Sequence, residues 1–214
     1  PVEWADEDGV LAVGGDLEAE TLRTAYRGGI FPWPIEGLPL LWFAPPQRAV
    51  LHFEDFHVSR RLARWLRSTP FEVRINCNFE QVIEACAKAK RKGERGTWIT
   101  PEMRAGYLRL HQAGIAHSVE TYLNDELVGG LYGVSFGAYF AGESMFHRAS
   151  GASKAALVHL VSHLQRRDAQ WLDAEVMTPL FESFGAREVP RAEFMRMLKK
   201  ALNQRVQMFD QVNI

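Results

Sequence analysis

The spacing of apolar residues changes several times along this chain, and each change marks an element. In the first 55 residues the clearest pattern is one helix, opening at Asp16 as N-cap and closing at Gly28-Gly29. "GGIFPWP" and "LPLLWFAPP" follow, and their prolines predict that Phe31, Trp33, Trp42 and Phe43 sit on loops. Aromatics on loops either plug a core or line a site. From Arg48 the pattern alternates: "RAVLHF" reads as a strand and "SRRLARWLRS" as a helix capped by Ser59. "FEVRI" is a strand, and "NFEQVIEACAKAK" a helix with a capping box from Asn78 to Gln81. Thr100 caps a helix that starts at Pro101 and runs to Gly114. A meander comes next: "AHSVETYL", the turn "ND", "ELVGGLYGVS" and "AYFAGESMF". A helix over residues 153–166, a strand "WLDAEV", a short helix over 178–185 and a last helix from near Pro190 complete the chain. Antiparallel strands flanked by helices predict an α+β fold with a main domain over residues 56–214. The first 55 residues form a small N-terminal domain packed against it.

Bulk properties narrow the function classes. A chain of 214 residues holds one large domain or two small ones sharing a core. With 47% hydrophobic and 24% charged residues it has the composition of a globular protein. The formal net charge of −1 provides no global field for a polyanion, so nucleic acid would need a local patch. Cys77 and Cys86 form no C-x-x-C pair, and no long apolar span or leader is visible; a reduced, cytoplasmic protein is expected.

Two basic segments qualify as local patches. The helix after Ser59 carries Arg60, Arg64 and Arg67 along one stripe, with Leu62 and Leu66 toward the core. "KAKRKGER" supplies Lys88, Lys90, Arg91 and Lys92 in a run of five basic residues against one acid. Either is a phosphate-binding surface or a solvated face. His159 and His163 stand four apart on a helix but lack the intervening Glu of a zinc motif and a third ligand. No Walker loop, nucleophile elbow or spaced Cys/His cluster is present in the sequence.

The strongest site candidate is the glycine-rich pair "GGLYGV" and "GESMF". Gly129, Gly130, Gly133 and Gly142 weaken a sheet unless something approaches its backbone closely. Gly142 is placed to mark a bulge that re-aims Phe140 and Glu143. Glu143 either pairs with Arg148 or faces a ligand. In "WLDAEV", Asp173 and Glu175 stand two apart, hence on one face of a strand. Two carboxylates so close raise a pKa unless a cation or donor lies between them.

The stretches "LAVGGDL", "AYRGGIFPW", "GTWIT", "HSVE", "ELVGGLYGV", "GESMF", "ASKAAL" and "GAREVPR" occur in the order found in one family. On them the chain resembles the leucyl/phenylalanyl-tRNA–protein transferases, from residue 11 to about 200. The resemblance implies a small N-terminal domain on a GNAT-like acyltransferase domain. It implies transfer of Leu or Phe, less readily Met, from aminoacyl-tRNA onto proteins beginning with Arg or Lys, marking them for degradation. No cofactor, no metal and no membrane is implied, and a monomer is expected.

Carried over, Tyr26, Trp33, Trp98 and Tyr107 become the aromatic walls for the terminal adenosine. Leu131, Phe140, Leu157, Leu164 and Leu172 become the apolar pocket for the side chain, with Thr178 beside them. Glu143 would then face a polar group of the substrate rather than a core residue. Asp173 matches the family's catalytic Asp, and here the chain departs from pattern: the family has Asp-x-Gln, and this chain has Glu175 in the Gln place. Leu180 stands where His is common, and Gly151 where Asn is common. The expected chemistry is proton relay by Asp173 assisted by Glu175, or a substrate-assisted route with Asp173 only orienting. Two rivals stay open: an acyl-CoA-dependent GNAT enzyme, for which "RASGAS" approximates the pyrophosphate loop, and an inactive tRNA- or peptide-binding homologue.

Overall fold

A three-stranded sheet and a seven-stranded sheet divide the chain in the computed structural model, which describes residues 1–35, 37–89 and 98–210. The small sheet has the order β1 (Val10–Val13), β3 (Leu41–Phe43), β2 (Phe31–Trp33), all antiparallel. Helix α1 (Ala19–Arg27) connects β1 to β2. The prolines did not force loops: Pro32 lies within β2, an edge strand, opposite Trp42. An edge strand leaves one row of amides outside the ladder, so proline costs little there. The four aromatics expected on loops therefore sit on short strands. Helix α1 also starts later than expected, with Glu18 as N-cap. Asp16 acts upstream instead, its Oδ1 accepting from the Glu18 amide at 3.0 Å and the Thr21 hydroxyl at 2.6 Å. Gly28 ends the helix, and Gly29 turns away in the left-handed region at φ +76°.

The large sheet runs β10-β4-β9-β8-β7-β6-β5. Its members are β4 (Gln47–His52), β5 (Glu72–Ile75), β6 (Ala116–Leu123), β7 (Glu126–Phe136), β8 (Tyr139–His147), β9 (Trp171–Glu175) and β10 (Arg187–Pro190). This is the mixed, largely antiparallel α+β sheet that the sequence predicts. Strand β4 shifts the expected division: the boundary at residue 55 would sever β4 from the large sheet, where it pairs with both β9 and β10. The change from small sheet to large falls between Phe43 and Gln47. Edge strand β10 was not foreseen; four residues next to a helix give too little alternation to read.

Helices α2 (Arg60–Ser68), α3 (Phe79–Lys88), α4 (Pro101–Gln112), α5 (Ala152–Gln165), α6 (Pro179–Ser183) and α7 (Arg191–Leu202) flank the sheet. Ser59 Oγ and Thr100 Oγ1 accept the amides of Leu62 and Met103, as their caps require. The capping box at Asn78 does not form: the Asn78 side chain makes no cap bond, and its amide donates to Glu120 at 3.2 Å. Asn124 and Asp125, at φ +50° and +61°, close the β6–β7 hairpin as a two-residue turn.

Two irregularities meet at the centre of the sheet. In the β7–β8 ladder Tyr132 faces Ser144 and Gly133 faces Gly142, so Glu143 is the extra residue of a bulge. In the β4–β9 ladder Ala49 faces Glu175 and Val50 faces Asp173, so Ala174 is extra. Between the two bulges β8 and β9 run parallel with a single register pair, Ala141 with Asp173. Bulges re-aim side chains and end pairing. Here they open the sheet on one side of that pair.

The glycines of β7 answer to this packing rather than to a ligand. A Cβ on Gly133 would lie 2.2 Å from the Ala141 carbonyl oxygen and 2.5 Å from the Phe140 ring; one on Gly129 would lie 2.4 Å from Ala152 Cβ of α5. Gly133→Ala is expected to destabilise the protein by roughly 2–3 kcal/mol in denaturant unfolding, since backbone must move to admit the methyl. An unchanged midpoint would show that the bulge is not closely packed.

Candidate active site

The opening in the sheet holds a pocket of about 350 Å³. Leu131, Phe140 and Met145 line it from β7 and β8, and Leu172, Ala174 and Glu175 from β9. Helix α5 contributes Leu157 and Leu160; Thr178 and Leu180 come from the start of α6. Trp33 of the small sheet and Trp98 cover the mouth. Their rings stack on each other, 5.6 Å between centroids at 14°. A base sandwiched between two rings needs about 7 Å, two van der Waals contacts, so any stacked base lies on an outer face of this pair. Beyond the pair lies an open cleft of about 1210 Å³ that shares both tryptophans.

Behind the pocket lies a buried ion cluster. Arg48 of β4 is 1% exposed, and Asp173 of β9 is fully buried. Arg48 donates to both Asp173 carboxylate oxygens, from Nε at 2.8 Å and Nη2 at 2.7 Å. Its Nη1 reaches the Gly29 carbonyl at 3.4 Å, and its guanidinium lies 4.4 Å over Phe31 and 4.7 Å over Phe194. Asp173 accepts two more bonds, from the Tyr139 hydroxyl at 2.7 Å and the Glu175 amide at 2.8 Å. Glu175 Oε1 stands 3.9 Å from Arg48 Nη2, so the cation required between the two acids is Arg48. Among the described residues Oε1 is buried and accepts no hydrogen bond, although Glu175 lines the pocket.

Several expected contacts change accordingly. Asp173 does not line the pocket; its oxygens are occupied by Arg48, Tyr139 and the Glu175 amide. Tyr26 and Tyr107 are fully buried and form no walls. Their hydroxyls contact each other and donate to the two oxygens of Glu143, at 2.6 and 2.7 Å. Glu143 thus has core partners, contrary to expectation, while still bordering the pocket. Arg148 is not its partner, donating instead to the Leu127 carbonyl. Leu164 lies behind the lining, fully buried. The other residues expected around the aminoacyl-adenosine do line it: Trp33, Trp98, Leu131, Phe140, Leu157, Leu172 and Thr178; Glu175, expected in catalysis, lines it too. Arg60, Arg64 and Arg67 lie exposed on α2, and Lys88 pairs with Glu84 at 2.6 Å on an exposed face. Lys90, Arg91 and Lys92 lie outside the described residues. In the loop approximating a pyrophosphate-binding turn, the Trp65 ring packs on Gly151, within 2.5 Å of where its Cβ would stand, while Arg148 and Ser150 are exposed.

Sequence reasoning missed Arg48 and Tyr139. A signal for Arg48 existed: it is the one charge beside the apolar run Ala49–Leu51, and the two acids of "WLDAEV" demanded a cation.

One cation faces three carboxyls in this cluster. Burial pushes the Glu143 carboxyl up to about 7, against the pull of the Tyr107 and Tyr26 hydrogen bonds. Burial also raises Glu175 well above the ordinary carboxylate range, with the Glu143 charge adding to the rise and Arg48 opposing it. Burial and Glu143 push the hydroxyls of Tyr26 and Tyr107 up, so both remain donors.

Family models match most of the chain: "Leucyl/phenylalanyl-tRNA protein transferase" over residues 50–199 and the N-terminal domain of the same description over residues 15–46. A leucyl/phenylalanyl-tRNA–protein transferase of Flavobacterium johnsoniae is 48% identical over 199 residues, covering 93% of this chain and 94% of that one. One from Aromatoleum aromaticum is 50% identical over 206 residues, 95% of this chain and 86% of its own. Among solved structures, a ribosomal-protein-alanine N-acetyltransferase of Brucella melitensis overlays with a TM-score of 0.40 at 17% identity, covering 56% of this chain and 93% of that one. That likeness is too slight to bear on the site.

Glu143 provides a test of the cluster through stability. Its folded pKa of about 7 lies above the ordinary carboxyl value near 4.3, so the folded state holds the extra proton between them. Stability is fully present below the lower value and falls as pH rises through the higher one, by roughly 3 kcal/mol. Glu143→Gln should flatten this fall in urea titrations between about pH 4.5 and 8. Parallel curves for the two proteins would mean that Glu143 does not hold the proton.

Proposed function

The chain belongs to the leucyl/phenylalanyl-tRNA–protein transferase family, and we propose that its pocket holds the transferred side chain while Glu175 meets the attacking amine. The protein is an aminoacyltransferase acting from aminoacyl-tRNA onto proteins. The observation that carries the assignment is that Glu175 lines the pocket while its carboxyl accepts no hydrogen bond at Oε1 among the described residues.

The reaction needs little beyond placement. An aminoacyl ester is already activated; the acceptor's α-amine must reach its carbonyl, forming the C–N bond and breaking the C–O bond to the ribose. Holding the two in line is worth on the order of 7–11 kcal/mol at best. A Leu or Phe side chain leaving water for the Leu131, Phe140, Leu157 and Leu172 walls gains about 1.5–3 kcal/mol. Terminal adenosine stacking on an outer face of the Trp33–Trp98 pair adds about 1–3 kcal/mol without reading sequence. Thr178 borders the same pocket.

The amine has to lose a proton as it attacks, and the ribose oxygen has to gain one as it leaves. Glu175 as carboxylate takes the first and, once protonated, supplies the second. Its raised pKa makes it a stronger base than an ordinary Glu. Asp173, which the family pattern makes catalytic, is in this reading a positioning residue: it fixes Arg48 and the Glu175 backbone. We take the acceptors to be proteins beginning with Arg or Lys, the substrates that transfer would mark for degradation. Among the described residues no helix is long and apolar enough to cross a membrane. We place the reaction in the cytoplasm with charged tRNA, carried out by a monomer.

Because the ionised form of Glu175 is the base, kcat/KM for Phe transfer from Phe-tRNA to an Arg-starting peptide should rise with pH through the raised Glu175 pKa and then level. Glu175→Gln should lose this limb and about 10²-fold in rate. A variant with wild-type rate and profile would remove Glu175 from the chemistry. The exposed Arg60, Arg64 and Arg67 are assigned to the tRNA backbone. Changing all three to Gln should raise KM for full Phe-tRNA and lower the log–log salt slope by roughly 0.7–0.9 per contact, leaving phenylalanyl-adenosine unaffected. Equal loss on both substrates would exclude that contact.

A further inference from the structure

We propose that Phe209, in the segment after α7, forms the floor beneath the aminoacyl pocket and sets the size of side chain the enzyme transfers. The inference rests on the pocket assignment above. Phe140 lines the pocket and is itself fully buried, so something must support its other side. Phe209 gives such support, its ring centroid 5.8 Å from Phe140 at 44°, alongside the backbone of Gly133.

Phe209 is closely held. It is 5% exposed, and its ring lies between two imidazoles: His117 of β6 at 3.9 Å and 14°, His163 of α5 at 4.9 Å and 25°. His163 Nε2 bonds the carbonyl of Met208 at 2.8 Å, and Asn76 Nδ2 bonds His117 Nδ1 at 3.0 Å. Arg167 pairs with Asp210 at 3.7 Å on the far side. Burial keeps His117 neutral, its pKa pulled down to about 3, so the sandwich carries no charge against the apolar floor. His163 sits on α5 three residues beyond Leu160, itself a lining residue, so the helix that packs on Phe209 also forms a wall of the pocket. Phe140 is thus a wall whose resting position is set from behind by a residue far from it in sequence. Shortening Phe209 gives the Phe140 ring room to withdraw and deepens the pocket by about one methylene or more.

The test compares aminoacyl-adenosines bearing Leu, Phe and Trp as donors to an Arg-starting peptide. Phe209→Ala should raise kcat/KM for Trp relative to Leu on the order of tenfold, with Phe209→Leu shifting the Phe-to-Leu ratio in the same direction by less. Leu198→Ala, a buried change in α7, should lower stability and leave the ratios alone. If Phe209→Ala does not fold, Phe209→Leu decides. Ratios equal to wild type in a folded Phe209 variant that still transfers Leu overturn the inference and leave the transferase reading intact. A wild-type protein that transfers none of the three overturns both.

Discussion

The buried Arg48–Asp173 pair is the interaction on which the site depends. Removing a guanidinium from water is costly unless its donors are met, and here three of its nitrogens reach the two Asp173 oxygens and the Gly29 carbonyl. Its two flat faces rest on Phe31 and Phe194. One side chain thereby connects β4, β9, the turn after α1, the small sheet and α7. The cost of breaking such a pair, about 3–5 kcal/mol, comes mostly from the charge left behind. Through Gly29 and Phe31, Arg48 also ties the small sheet to the large one.

The same pair shapes the chemistry. With Asp173 neutralising Arg48, the remaining carboxyls of Glu143 and Glu175 have no full counter-charge, and burial favours their protonated forms. Glu143 is stabilised by two tyrosine hydroxyls that do not themselves ionise. Glu175 has no such support at Oε1. In the proposed reaction the incoming amine meets this carboxyl where Glu175 lines the pocket. Where the Asp-x-Gln pattern would present an amide, this chain presents an acid whose pKa burial raises.

Geometry at the sheet centre makes the pocket possible. A continuous ladder would fill the space between β8 and β9. The extra residues Glu143 and Ala174, both just past the lone parallel pair along their strands, remove backbone partners from both strands. A gap in a sheet leaves polar groups in need of cover, and tryptophans from outside the large sheet close it. Apolar walls from α5 and β7 then give the cavity a dry side and a charged side.

Much of this was legible in the sequence. Periodicity located the meander, α2 to α5 and the strand "WLDAEV", because their alternation or caps are local properties of the chain. The glycine before Glu143 marked a bulge, and most of the apolar lining followed from the resemblance. What the sequence could not decide was pairing across distance. Proline forbids an interior strand but not an edge strand, so Phe31–Trp33 depended on where β3 lay. Asp173 and Glu175 share a strand, yet one is closed off by Arg48 and the other borders the pocket, because the bulge at Ala174 breaks their alternation. Tyr26 and Tyr107 are 81 residues apart, and only packing turned both hydroxyls onto Glu143. Local patterns are written in neighbouring residues; which buried charge meets which partner is settled only when the folded chain brings them within hydrogen-bond reach.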